Sequence, residues 1–316
     1  YLQPDSVLEN CRESDGPVEM RTDAPQVVVA PGHGLRVFGA HGIANLTVDV
    51  VFPVLHGTFG EDGTIQGLLE CADLAYVGAD VYGSAVAMDK DIANRMWEAA
   101  GLPVVGSIVV DGTGYNLQDI ASGVVRRFGW PVFVKPARCG SSVGASRATD
   151  IQSLSTALSN ALRFDTKALI QPFIHAREIE CSVVGNENPQ AFPPGEIIPS
   201  HEYYDYDAKY IDPDGARLVA PAQLGDDLAG RIMDLAVQAY LAAGLSGMAR
   251  IDFFIDKTDG SVYLNEANTI PGFTSISMFP RMCQTGGLAY PDLIDRLLSL
   301  AVERHGVRAR LSYSKA

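Results

Sequence analysis

The chain has 316 residues, 47% of them hydrophobic and 20% charged, and carries a formal net charge of −14. No apolar run approaches the roughly 20 residues that a membrane-spanning helix needs, and so acidic a chain lacks the basic surface on which nucleic-acid binding depends. Five cysteines, at 11, 71, 139, 181 and 283, are odd in number and lack CxxC spacing, which points to a reduced, cytoplasmic protein with free thiols and no structural zinc.

In chain order, residues 1 to about 45 read as irregular apart from a strand-like VVVA at 27–30 and a Pro31-Gly32 turn. LTVDVVFPVL (46–55) reads as a buried strand running into a Gly-rich loop, HGTFGEDG, followed by a helix from Thr64 to Leu74 and a strand at 75–78. Strand, loop, helix is the order of an α/β unit with its site at the strand's carboxyl edge. A helix is predicted over 88–100, ending at Gly101 before Pro103. Strand 104–110, helix 117–128, strand 131–135, a Gly-rich turn at 137–144, helix 150–163 and strands 167–172 and 178–184 follow. Residues 199–216, rich in Tyr and Asp, have no helical or strand period and read as a long ordered loop, a kind that is usually functional. Helix 225–243 leads into a hairpin, helices 278–286 and 290–304 close the chain, and a basic tail at 305–316 is expected to fray.

The hairpin, MARIDFFIDKTDGSVYLNEANTIPG (248–272), is the most informative stretch. A three-residue loop, Thr258-Asp259-Gly260, would place Gly at the left-handed position. In that register 255 faces 263, 252 faces 266 and 250 faces 268. Side chains two apart share a face, so Arg250, Asp252, Glu266 and Asn268 converge, with Ile251, Phe253, Ile255, Tyr263 and Ala267 on the other side. Two carboxylates, an amide oxygen and a guanidinium suit a hard divalent cation that holds phosphate oxygens. Pro271-Gly272 turns the backbone beside this set, where a bare N–H could reach a developing oxyanion. An ordinary ion-paired surface hairpin is the bland alternative.

Other stretches carry candidate chemistry. PVFVKPARCGSSVGAS (131–146) delivers Lys135 into a turn where N–H groups and the Ser141 and Ser142 hydroxyls could cradle phosphate, although no GKS or GKT follows and it is not a P-loop. Lys90 opens a helix, where the dipole disfavours a cation unless an anion joins it. IQPFIHAREIE (170–180) is apolar and then acidic, as a purine slot followed by a ribose-binding Glu178 would be. His56 and Glu61 lie in a loop at a strand's end. Taken singly, these are also a Gly-rich turn, a surface lysine, a core strand and a polar loop. No Ser-His-Asp order or GxSxG supports hydrolysis by a nucleophilic serine.

Together, HGTFGEDGTIQGLLE (56–70), DKDIANRMWEAAGLPV (89–104), VKPARCGSSVG (134–144), YYDYDAKY (203–210), ARIDFF (249–254) and NEANTIPGFTSISMFPRM (265–282) resemble the ATP-grasp family, and more closely its D-alanine:D-alanine ligases. The resemblance implies an α/β, ATP-grasp fold in three domains: an N-terminal α/β substrate domain (1–88), a central small domain (89–175) and a C-terminal domain (176–316) bearing the lid 199–216. It implies ATP between the last two, and two Mg²⁺ (or Mn²⁺) ions on Asp252, Glu266 and Asn268. Lys90, Lys135, Ser141 and Ser142 would take the phosphates, Glu178 the ribose, and Gln171, Phe173, Ile174 and Phe254 the adenine. Arg250 and the Gly272 N–H would stabilise the tetrahedral intermediate. His56 and Glu61 would lie near the first D-alanine, Lys209 and Ser277 at the second's carboxylate, and Tyr210 would close over the site onto the loop serine, Ser142. A homodimer is implied too, with D-alanine and ATP as partners and no nucleic acid or membrane.

Two departures stand out. The family's opening Gly-rich strand and loop, with a glutamate for the first D-alanine's ammonium, has no counterpart before HGTFGEDG, so the N-terminal domain is expected to be incomplete. Gln171 stands where an acidic adenine contact is common. Two rival functions are a D-Ala:D-Ser or D-Ala:D-lactate ligase, disfavoured by a long lid ending Ala-Lys-Tyr, and an ATP-grasp nucleotide-binding protein without ligase turnover.

Overall fold

The structure, a computed structural model, describes residues 26–39, 42–112, 114–199, 216–274 and 277–312. Lys209, Tyr210 and nearly all of the predicted lid fall outside these residues. Near the start, β1 (Gln26–Val29), β2 (Leu35–Gly39) and β3 (Gly42–Leu46) form an antiparallel sheet. The strand-like VVVA falls on β1 and the Pro31-Gly32 turn follows it, while the expectation of irregular chain is corrected over 35–39 and 42–46. Each strand is short and lies largely at the surface, with Phe38 and Ile43 exposed, which blurs the alternation of a half-buried strand.

The strand expected over 46–55 is also corrected. Leu46 ends β3, and beyond it only β4 (Val50–Val51) pairs, in parallel with β5 (Ala75–Tyr76), with α1 (Thr64–Cys71) between them in the chain. Val54 and Leu55 are exposed, in the long loop that carries His56 and Glu61. A helix that was not expected, α2 (Val81–Met88), ends just before α3 (Lys90–Ala99), which is the helix expected over 88–100. Asp89 between them is extended, and its carboxylate accepts the N–H groups of Asp91 and Ile92, so it caps the second helix where a continuous one would have needed a helical residue.

β6 (Ile108–Asp111), α4 (Leu117–Arg127), β7 (Val132–Pro136), β8 (Ser146–Ala148), α5 (Ile151–Ala161) and β9 (Lys167–Pro172) build an antiparallel sheet in the order β6-β9-β7-β8. Alternation decides its two faces. Val132, Val134, Ala168 and Ile170 pack with Val124, Leu154 and Leu158 of the helices, which leaves Phe133, Lys135 and Gln171 on the opposite face.

A larger sheet follows, built from β10 (Ala176–Gly185), β11 (Gln190–Ala191), β12 (Gly195–Pro199), β13 (Ala216–Val219), β14 (Gly247–Asp256) and β15 (Val262–Asn268). Its order is β13-β12-β10-β14-β15, with β11 on the side of β10. α6 (Asp226–Ala242) covers one face, where Ile232, Ala236 and Tyr240 meet Ile179, Cys181, Ile251 and Phe253. Trp97 of α3 joins this core and its indole N–H donates to Ala239 O at 2.9 Å. α7 (Met278–Thr285) and α8 (Tyr290–Ala309) enclose a second core with Val184, Phe192 and Met248. The expected fraying from 305 is corrected as far as Ala309, which is helical: Arg308 pairs with Glu70 at 3.0 Å and His305 with Asp73 at 3.0 Å. β12 and β13 pair Pro199 with Ala216, so the predicted lid segment leaves from and returns to adjacent strand ends.

The hairpin departs from its predicted register in an instructive way. Its loop has four residues, Lys257 to Gly260, closed by Asp256 N–H donating to Ser261 O at 2.9 Å. Gly260 takes the left-handed φ of 76°. The extra residue sets Ile255 opposite Val262 and Phe253 opposite Leu264, one position off. A bulge then leaves Asn265 unpaired and restores Asp252 opposite Glu266 and Arg250 opposite Asn268. Hence Val262 and Leu264 are buried on the core face, and Tyr263, expected there, faces the other way.

Candidate functional site

The two larger sheets face each other across one deep cleft of about 1440 Å³. Every site residue singled out from sequence that lies among the described residues lines it. β10 and β14 build its floor. Their antiparallel register sets Glu180 directly opposite Asp252, and Glu178 opposite Phe254. Like charges facing each other across a sheet are unfavourable, and Arg250 resolves the conflict. Its Nε and Nη2 donate to the two Asp252 oxygens at 2.7 Å each, and Nε lies 3.1 Å from Glu180 Oε1. Burial opposes the guanidinium charge, but Asp252 and Glu180, with Glu266 adding to them, outweigh it and hold its pKa well above the ordinary arginine value.

Asn268 Nδ2 donates to Asp252 Oδ2 at 2.9 Å. An amide's O and N exchange by a flip, so the same side chain can present oxygen at this point. Asp252, Glu266 and Asn268 are then all hard oxygen donors on adjacent strands. Among the described residues no group of three or more His, Cys, Asp or Glu is arranged to hold a metal. A site of two carboxylates and an amide suits a cation that completes its shell with water and phosphate oxygens, as Mg²⁺ does.

The cations approach from the opposite side. Lys90 Nζ lies 3.2 Å from Glu266 Oε2 and donates to Cys139 O at 2.8 Å. Lys135, turned toward the cleft by the alternation of β7, donates to Asn265 Oδ1 at 3.1 Å. In the turn that follows, Ser141 and Ser142 both have left-handed φ, 54° and 57°. Two successive non-glycine residues there store strain of a kind that clusters at ligand-binding loops. At the far end Phe173, Ile174 and Phe254 give an apolar wall, Arg147 lies over the Phe173 ring at 4.8 Å, and Gln171 donates weakly to Val105 O at 3.4 Å.

At the other end the HGTFGEDG loop is fastened to the segment after β15. His56 Nδ1 lies 2.8 Å from Ile270 O. A carbonyl only accepts, so Nδ1 carries a proton. Glu61 accepts Ile270 N–H at 3.0 Å on one oxygen and Gly57 N–H at 2.7 Å on the other. Burial raises its pKa, with the two N–H bonds and the charges of His56 and Arg250 pulling less strongly the other way. Gly272 lies two residues beyond, where a Cβ would stand 3.0 Å from Ser277 Oγ. Ser277 Oγ accepts Thr274 N–H at 3.0 Å, which shapes the turn into α7.

Three groups in this cleft were missed from sequence. Glu180 follows Glu178 by two, so strand alternation alone could have placed it. Asn265 precedes Glu266 and would face the core in a regular strand, so only the bulge brings it to the cleft. The Cys139 carbonyl carries no side-chain signal at all.

A nucleotide-sized cleft between two antiparallel sheets, where Lys135 on one sheet and Lys90 at a helix start meet the acids of the other sheet, is the ATP-grasp arrangement. A family model described as "D-ala D-ala ligase C-terminus" matches residues 96–299, and one described as "D-ala D-ala ligase N-terminus" matches residues 19–79. A D-alanine–D-alanine ligase of Treponema denticola is 46% identical over 310 residues, covering 96% of this chain and 84% of the relative. One of a Thermoanaerobacter species is 50% identical over 263 residues, covering 83% and 73%. Among solved structures, the D-alanine-D-alanine ligase from Coxiella burnetii superposes with a TM-score of 0.80 at 33% identity over 98% of this chain and 80% of that one. The VanG D-Ala:D-Ser ligase from Enterococcus faecalis gives 0.78 at 34% identity over 88% and 79%. The chain belongs to the D-alanine–D-alanine ligase family.

Proposed function

We propose that this chain is an ATP-dependent ligase that joins two D-alanines into D-alanyl-D-alanine through a D-alanyl phosphate, a step of peptidoglycan precursor synthesis. The observation that carries the reading is the meeting, in one cleft, of Lys90 and Lys135 from one side with Arg250, Asp252, Glu266 and Asn268 from the other. Adenine would lie against Gln171, Phe173, Ile174 and Phe254, and the ribose hydroxyls would meet Glu178. Lys90, Lys135 and the turn at Ser141 and Ser142 would hold the phosphates. Mg²⁺ on Asp252, Glu266 and Asn268 would supply charge neutralisation during phosphoryl transfer.

The first D-alanine's carboxylate attacks the γ-phosphorus and ADP departs. The amine of the second, having given up a proton, then attacks the acyl carbon. The negative charge that develops on the carbonyl oxygen is met by Arg250 and the Gly272 N–H, and phosphate leaves. His56 would sit beside the first D-alanine, with Glu61 holding the loop that carries it. Ser277 and Lys209 would take the second carboxylate. Tyr210 would close toward Ser142 as the 199–216 lid excludes the water that would hydrolyse the acyl phosphate. The domain limits we propose are 1–88, 89–175 and 176–316. The assembly proposed is a homodimer acting in the cytoplasm, where ATP is available; among the described residues no helix is long and apolar enough to cross a membrane.

The deciding experiment is phosphate release from ATP with Mg²⁺ and D-alanine. Release that requires D-alanine, fails with L-alanine and is lost in Asp252→Ala is expected. Release indifferent to D-alanine would overturn the reading, and preferential coupling to D-serine or D-lactate would reassign the second substrate.

A further inference from the structure

Lys167, the first residue of β9, belongs to none of the motifs above and does not line the cleft. Its Nζ lies 2.7 Å from Asp89 Oδ2 and donates to Asp91 Oδ2 at 3.0 Å. The three side chains are only 14%, 13% and 6% exposed, so solvent screens this bridge weakly. The two aspartates bracket Lys90. Asp89 Oδ1 also accepts the N–H groups of Asp91 and Ile92, at 3.1 and 3.2 Å, as the cap of α3. The backbone repeats the link: Ala137 N–H donates to Lys167 O at 2.9 Å, and Lys90 N–H donates to Ala137 O at 3.0 Å. β9, the turn after β7 and the first residue of α3 are therefore one hydrogen-bonded row.

We infer that Lys167 is a positioning residue for the nucleotide's phosphates: it holds the start of α3 against the phosphate turn, so that the Lys90 ammonium meets them at a fixed place. This rests on the nucleotide reading of the cleft. A lysine in the first turn of a helix is repelled by the helix dipole, and Asp89 and Asp91 offset that repulsion. Without Lys167, both carboxylates would draw the Lys90 ammonium toward themselves and away from the cleft. Arg95, which donates to Asp91 at 2.8 Å, is 66% exposed and sits on the same helix, so it cannot tie α3 to the sheet. Burial works against the Lys167 charge, but Asp89 and Asp91 more than offset it and raise the pKa, which keeps the bridge charged.

The test is calorimetric titration of the full chain with Mg·ADP and, separately, with adenosine. Lys167→Met should bind ADP about fivefold more weakly and leave adenosine affinity unchanged. The KM for ATP should rise by the same factor with kcat within about twofold, and Lys167→Arg should recover most of the loss. Asp89→Asn keeps the cap, because Asn caps a helix as well as Asp, and removes the strongest partner charge. It should weaken ADP in the same direction, and it decides the matter if Lys167→Met does not fold. Unchanged ADP affinity in both variants, or equal losses for ADP and adenosine, would overturn the inference. A wild-type chain that binds neither ligand would instead sink the nucleotide reading itself.

Discussion

Glu61→Gln is the sharpest perturbation of the fastened loop. Both Glu61 oxygens accept backbone N–H groups, Gly57 at 2.7 Å and Ile270 at 3.0 Å. A glutamine has one carbonyl oxygen, so in either orientation its NH₂ faces a backbone donor and one N–H loses its acceptor. Leaving such a partly buried donor unsatisfied costs about 1–3 kcal/mol. If all of it falls on the geometry of the His56 loop and Gly272, kcat/KM falls roughly 5- to 150-fold. His56 still holds Ile270 O, so the lower part of that range is expected. The assay is D-alanine-dependent phosphate release at varied D-alanine and varied ATP. The KM for D-alanine should rise and kcat should fall, while the KM for ATP stays within about twofold, because Glu61 hydrogen-bonds Gly57 and Ile270 and none of the groups proposed to hold the nucleotide. Wild-type kcat/KM, or an equal loss on the ATP side, would refute the assignment of Glu61 to loop support. The titration carries a second signature. Folding raises the Glu61 pKa above 4.5, so the stability it contributes is present below pH 4.5 and lost as pH climbs through the folded value. Glutamine does not titrate, and the variant's stability profile should be flatter just above pH 4.5.

The remaining predictions concern other links. Asp165, despite burial, has its pKa lowered from 3.8 by Arg138, which donates to it from side chain and backbone. Its contribution is therefore present above pH 3.8 and lost as pH falls. Asp165→Asn should be about 1 kcal/mol less stable at pH 7, with the gap to wild type closing in acid melts; a gap that widens in acid would contradict this. Trp97→Phe shrinks a fully buried ring and removes one of the two donors to Ala239 O, which keeps the Ala243 N–H at 3.1 Å, and should cost about 1–3 kcal/mol in denaturant titration from the lost hydrogen bond and the space left by the smaller ring. Gly272→Ala presses a methyl to 3.0 Å from Ser277 Oγ. It should raise the KM for D-alanine several-fold while leaving ADP affinity intact, and an unchanged KM would argue that the turn has slack.

Legibility followed physical locality. The antiparallel core strands and the face shared by Arg250, Asp252, Glu266 and Asn268 follow from alternation, so β7, β9, β10 and β14 were readable. α2 was not: Gly83, Ser84, Val86, Ala87 and Met88 are buried while the large Tyr82 is exposed, so no clean amphipathic period marks it. β12 and β13 are short and flank a polar stretch whose composition hides their pairing. The start of α3 two residues later than expected is a capping event at Asp89, which a helical period does not mark. The long-range contacts of Lys135 with Asn265, which joins one sheet to the other, and of Lys90 with the Cys139 carbonyl depend on tertiary approach and had no local signal. Family resemblance supplied the roles, and the geometry brings those candidates that lie among the described residues into one cleft.

The hairpin's four-residue loop and its bulge form an insertion and its correction. Deleting Asn265 would straighten β15 and still leave Glu266 across from Asp252, since the shifted pairing would simply continue. What would vanish is the arm that reaches the neighbouring sheet at Lys135. Removing a loop residue instead would draw Asn265 into the ladder and rotate it toward the apolar side. A hairpin of this design with a shorter turn should therefore have a smooth second strand, and its lysine must be tethered by some other neighbour.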